Sequence, residues 1–120
     1  MDGNRDTNSS ARPQGLTSDV RVRLRARSNG ETTEVKLLML HPMETGLRRD
    51  AHGVAIPPDF ISQVLVRHND EIVFEVAMSI AIASDPLLSF EFQGGRPGDP
   101  IEVEWQDNQG ADGRFQTTVT

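Results

Sequence analysis

From Val20 onward, apolar residues recur at every second position. Val20, Val22, Leu24 and Ala26 alternate with Arg21, Arg23, Arg25 and Arg27. Successive side chains of an extended chain point to opposite faces, so this run predicts a half-buried strand with four guanidinium groups in a row. The same period returns along the chain. Thr33 to Leu40 places Val35, Leu37 and Met39 on one face and Leu38 and Leu40 on the other, which predicts burial on both sides. Phe60 to Arg67, Leu88 to Phe92, Ile101 to Trp105 and Phe115 to Val119 predict further strands. Ser28-Asn29-Gly30, Asn69-Asp70, Pro97-Gly98 and Asp107-Asn108-Gln109-Gly110 are turn signals between them. No segment carries a convincing amphipathic helical pattern.

One stretch is too long for a single strand. Bulky Ile72, Phe74, Val76, Met78, Ile80 and Ile82 alternate with smaller or polar residues as far as Ala83. Twelve extended residues would span roughly 40 Å, so a bend or bulge near Ala77–Ser79 and two strands are expected. About seven strands separated by turns predict an all-β fold, an immunoglobulin-like antiparallel β-sandwich over residues 20–120.

Composition allows one lean core. Leu, Ile, Val and Phe make up a quarter of the 120 residues, although the apolar share is only 36%. No run resembles a transmembrane helix. Residues 1–19 are rich in Asn, Asp, Ser, Gly and Arg, and are expected to form a disordered polar tail. They contain no apolar h-region, which taken alone argues for the cytoplasm. The net charge of −6 opposes binding to nucleic acid or anionic membranes. Eleven of the twelve basic residues are arginine, a residue suited to bidentate contacts. The arginine row is expected to face a glutamate strand, either Glu102 and Glu104 or Glu71 and Glu75; docking an acidic partner or an oxyanion is the other reading.

Chemistry is sparse. There is no cysteine, which removes thiol nucleophiles, disulfides, iron–sulfur clusters and cysteine–zinc sites. No serine sits in a nucleophile elbow and no phosphate-binding glycine loop is present. Glu102 and Glu104, two residues apart, belong to one solvent-facing side and do not suggest paired catalytic carboxylates. The chain therefore reads as a non-enzyme with no cofactor. Met39, His41, Met43 and His52 supply the one metal alternative, a soft copper(I) set. A core methionine and a hydrogen-bonding strand-end histidine account for the same residues.

The most distinctive segment is His41-Pro42-Met43-Glu44-Thr45-Gly46, followed by Arg48 and Asp50. Pro42 fixes its own φ and Gly46 permits a positive one, while Glu44 and Thr45 can bind exposed amides. This is a stiff, shaped loop within a long connection from His41 to Pro58, better suited to recognition than to proton transfer.

That string, with Thr33-Glu34-Val35, Gly53, Ile56-Pro57, Phe60-Ile61, the arginine strand and Trp105 to Gly110, resembles the SoxZ family of bacterial thiosulfate oxidation. The resemblance covers about residues 20–119. It implies a non-catalytic subunit that forms a tight heterodimer with a SoxY-type sulfur carrier. That partner's glycine-flanked C-terminal cysteine would hold the sulfur, and other enzymes of the pathway would visit transiently. It also implies a periplasmic location reached by export with a signal-bearing partner, against the cytoplasmic inference above. His41, Pro42, Met43, Glu44, Thr45, Gly46, Arg48 and Asp50, together with Ile80, Ile82, Leu87 and Leu88, are expected at or beside the partner interface.

Overall fold

The computed structural model describes residues 20–79 and 82–120. Seven strands form two antiparallel sheets, and no helix occurs among the described residues. The first sheet has the order β1-β2-β5: β1 is Arg21–Ser28, β2 is Thr32–Leu40 and β5 is Leu87–Gln93. The second has the order β4-β3-β6-β7, with β3 Ile61–His68, β4 Glu71–Ala77, β6 Pro100–Asp107 and β7 Asp112–Thr118. This is the immunoglobulin-like sandwich expected from the alternation.

The inner faces supply the core. Val35, Leu37 and Met39 of β2 meet Ile61, Val64 and Val66 of β3 and Ile101, Val103 and Trp105 of β6, all buried. Leu38 and Leu40 are only half-buried. The predicted turns are present. Asn69 and Asp70 take φ of 50° and 69°, the left-handed pair that a two-residue hairpin needs. Arg96 to Asp99 closes with the Asp99 amide donating to the Arg96 carbonyl at 3.0 Å and Gly98 at φ 98°, as in a type II turn.

Three expectations need correction. First, the long bulky run does break at Ala77, but its second half forms no strand over Ile82–Pro86; Ile80 and Ala81 lie outside the described residues. The chain here crosses between sheets. Asp85 adopts φ 51° and Pro86 has no amide to donate, so a ladder cannot start before Leu87. Second, the alternation of Ile72, Phe74 and Val76 does not run through as one face. A register shift pairs Val66 with Phe74 but Arg67 with Ile72, so Val73 is the extra residue and Ile72 is exposed.

Third, the arginine row faces no glutamate ladder of β4 or β6. Among the described strands β1 pairs only with β2, and the register sets Arg21, Arg23, Arg25 and Arg27 opposite Leu40, Leu38, Lys36 and Glu34. Glu102 and Glu104 are in the other sheet. There Arg67 of β3 binds the Glu104 carboxylate, and Arg114 of β7 binds it from the other side at 2.6 Å. The charge ladder is therefore real but built from different arginines. The tail expected over residues 1–19 lies outside the described residues.

Candidate functional site

The connection from His41 to Phe60 is a hairpin-like arm rather than a loose loop. Glu44 pairs with Asp59 at its root, and Arg49 pairs with Ala55 further out. The Glu44 amide donates to the Asp59 carbonyl at 2.8 Å, and the Asp59 amide returns the bond at 3.0 Å. At the tip, the Asp50 carboxylate accepts the amides of His52 and Val54 at 2.8 and 3.0 Å. Short side chains that bind nearby amides stabilise such turns.

His41 anchors the root. It is buried, and its Nδ1 accepts the Met43 amide at 2.9 Å. Its Nε2 lies 3.5 Å from the Asp59 carboxylate. Met43 adopts φ 52°, and its sulfur accepts the Ile61 amide at 3.4 Å. Gly46 takes φ 88°, and a Cβ there would stand 3.1 Å from the Pro58 ring. Thr45 Oγ1 accepts the exposed Leu47 amide at 3.0 Å, as expected. The Glu44 carboxylate binds no amide of the described residues. It takes the Arg48 guanidinium in two bonds of 2.9 and 2.7 Å. Those bonds hold Glu44 below the usual carboxylate range and raise Arg48 above its ordinary value.

Two sequence-distant groups of predicted residues meet here. Asp85 clasps His41: its carboxylate accepts the His41 amide at 2.9 Å and its amide donates to the His41 carbonyl at 2.9 Å. The Met39 amide bonds the Pro86 carbonyl at 3.0 Å. The Ile82–Leu88 crossing is thereby tied to the root of the arm. Beside it, Val76, Met78, Ile82, Pro86, Leu87 and Leu88 line a depression of about 350 Å³ on the flank between β4 and β5. Leu87 is 64% exposed and Ile82 37%. Phe74 and Phe90 stack across the same flank with ring centroids 4.3 Å apart. β4 and β5 are not hydrogen-bonded to each other, so among the described residues this flank is an open seam. Of the predicted residues, Ile80 lies outside the described residues; Arg48 and Asp50 extend along the arm away from the seam.

A third segment joins from the β6–β7 turn. Asn108 Oδ1 accepts the Phe60 amide at 2.8 Å, and its Nδ2 donates to the Pro58 carbonyl at 3.0 Å. The motif from Trp105 to Gly110 thus braces the return leg of the arm that starts at His41. Asp59 and Asp85 are organising residues that the sequence pattern does not single out, and Asn108, expected only as a turn residue, proves to be the brace. Asp85-Pro86 was the available signal, because Asp before proline favours a turn.

The copper set does not assemble. Met39 is fully buried in the core, and His52 sits exposed at the tip of the arm. Nδ1 of His41 accepts the Met43 amide, so the ring proton resides on Nε2, facing Asp59. No group of three or more His, Asp or Glu side chains with metal-site spacing occurs among the described residues.

Residues 20–118 match the family model described as sulphur oxidation protein SoxZ. The chain belongs to the SoxZ family. No curated protein matches it. The segments that the family-like motifs occupy, His41 to Gly46 and Trp105 to Gly110, are in this SoxZ-family chain two halves of one braced unit. Membership makes it a sulfur-oxidation protein.

Proposed function

We propose that this chain is the non-catalytic scaffold of a SoxYZ-type carrier, pairing tightly with a SoxY-type protein in periplasmic thiosulfate oxidation to sulfate. The partner supplies the sulfur-bearing cysteine, and this chain supplies a rigid face for it. The observation that carries the reading is the open β4/β5 seam. A SoxZ-family domain without a single cysteine exposes Leu87, Ile82 and Ile72 along one flank, next to the braced arm. Thiol chemistry needs a thiolate, which this chain cannot offer. Obligate interfaces are more apolar than ordinary surface, and a lean sandwich with an unsealed seam gains most from such cover.

The arm fits the same role. Its root is fixed by Asp85, Asp59 and Asn108, so it presents Leu47, 83% exposed, in a defined position rather than as a floppy tether. Preorganised elements lose less entropy on association. Co-expression with a SoxY-type protein, with an affinity tag on that protein alone, tests the reading. A stoichiometric 1:1 complex is expected. A chain that stays monomeric and passes through unbound would refute it.

A further inference from the structure

The opposite flank carries a second, different surface. β1 is an edge strand, and the described residues cover only half of its outer edge. The Thr120 amide donates to the Ala26 carbonyl at 2.9 Å, and the Ser28 amide donates to the Thr120 carbonyl at 3.0 Å. In an antiparallel ladder, alternate residues turn their amide and carbonyl the same way. The corresponding groups of Val22 and Leu24 therefore point to the same edge, and no described residue bonds them.

This free edge has a chemical character. On the outer face Arg21, Arg23 and Arg25 are exposed, with Lys36 opposite Arg25. None of the three arginines forms an ion pair among the described residues, whereas Arg48, Arg67 and Arg114 all do. The chain as a whole carries −6, so a cationic strip here is a local concentration against the general charge. Beside the edge lie two depressions of about 380 and 410 Å³, which share Phe115 of β7; the first also runs over the outer face past Lys36 and Leu38 to Leu87. Val22 and Leu24 border them on the β1 side, and Phe115 is 42% exposed.

We propose that the Val22–Leu24 edge of β1 is a strand-addition site for an extended segment of a protein partner in which Asp or Glu alternates with apolar residues. Such a segment satisfies all three features at once. Its backbone pairs with Val22 and Leu24. Its acidic side chains fall directly across from Arg21, Arg23 and Arg25, within cross-strand reach. Its apolar side chains turn inward over the hollow beside Phe115. A second copy of this chain does not fit, because pairing β1 with β1 would set arginine against arginine. The site is at the β1 end of the β1-β2-β5 sheet, and the 380 Å³ depression reaches Leu87 across β2, so the β1 edge and the β4/β5 seam are neighbouring surfaces of one sheet.

The test uses the full chain and a capped, fluorescein-labelled seven-residue peptide of alternating glutamate and valine. Anisotropy is expected to show saturable binding, with amide hydrogen exchange slowed at Val22 and Leu24. Arg23→Glu with Arg25→Glu is expected to weaken binding at least about tenfold, two cross-strand charge pairs having been reversed. Replacing glutamate by lysine in the peptide, or N-methylating its bonding amides, is expected to abolish it. Binding that survives N-methylation, or that ignores both charge reversals, would overturn strand addition. So would no binding at about 1 mM peptide. Protection of the Val22 and Leu24 amides in the chain alone would assign the edge to the chain itself, and self-association at high salt would assign it to a second copy; either overturns the proposal.

Discussion

Asp85 holds His41 by both of its backbone groups, across 44 residues of sequence. This single clasp joins the root of the arm to the sheet crossing and thereby sets the arm beside the apolar seam.

Removing the clasp carboxylate tests that joint. Asp85→Ala loses the acceptor for the His41 amide and places alanine at φ 51°. The two effects together cost about 2 kcal/mol. Asp85→Asn keeps an acceptor and tolerates the left-handed backbone, so it stays within about 0.5 kcal/mol of the parent. Urea unfolding midpoints distinguish the two.

His41 is a structural histidine in this account. His41→Ala leaves the buried Met43 amide without its acceptor and costs about 2 kcal/mol. Titration with copper(I) is expected to give no His41-dependent uptake by the parent chain. Uptake that His41→Ala abolishes would restore the copper reading.

Gly113 is a packing glycine. A Cβ there would collide with the ring of the buried Trp105. Rigid overpacking of this kind costs about 1–3 kcal/mol. Gly113→Ala should therefore lower the thermal midpoint, although the residue is on an edge strand where alanine is otherwise harmless.

Acid stability follows from three carboxylates. Glu104 is held below the usual carboxylate range by the Arg67 hydrogen bond and then by Arg114. Glu44 is lowered by Arg48, and Asp99 by the His68 ring at 2.8 Å and the Arg96 amide. Each binds its proton less readily folded than unfolded. Their contribution is complete above the ordinary carboxylate pKa and disappears as pH falls through the lowered values. Denaturant midpoints should be flat from neutral pH to about 5 and fall below it. Arg67→Gln should reduce that acid-limb slope.

The sheets were legible because period two repeats cleanly on β1, β2 and β6 and because Asn69-Asp70 and Pro97-Gly98 have one natural backbone shape. Pairing was less so. Alternation tells which face Arg23 occupies but not which strand lies beside it, so the glutamates of β6 looked like natural mates until the register placed them with Arg67 and Arg114. Ile72 misled for a related reason: one extra residue at Val73 reverses the face, and a bulge has no fixed sequence signature. The string from His41 to Gly46 announced a shaped loop. Its tie to Asp85 and its brace at Asn108 are long-range contacts that no local pattern encodes.

An equilibrium titration of this chain with a SoxY-type protein bears most directly on the central claim. We expect 1:1 binding that Leu87→Glu weakens at least about tenfold, by burying a charge at the seam, while Gln116→Lys on β7, at the other end of the second sheet from β4, leaves the affinity unchanged. Full-strength binding by Leu87→Glu, or no binding by the parent chain, would contradict the account.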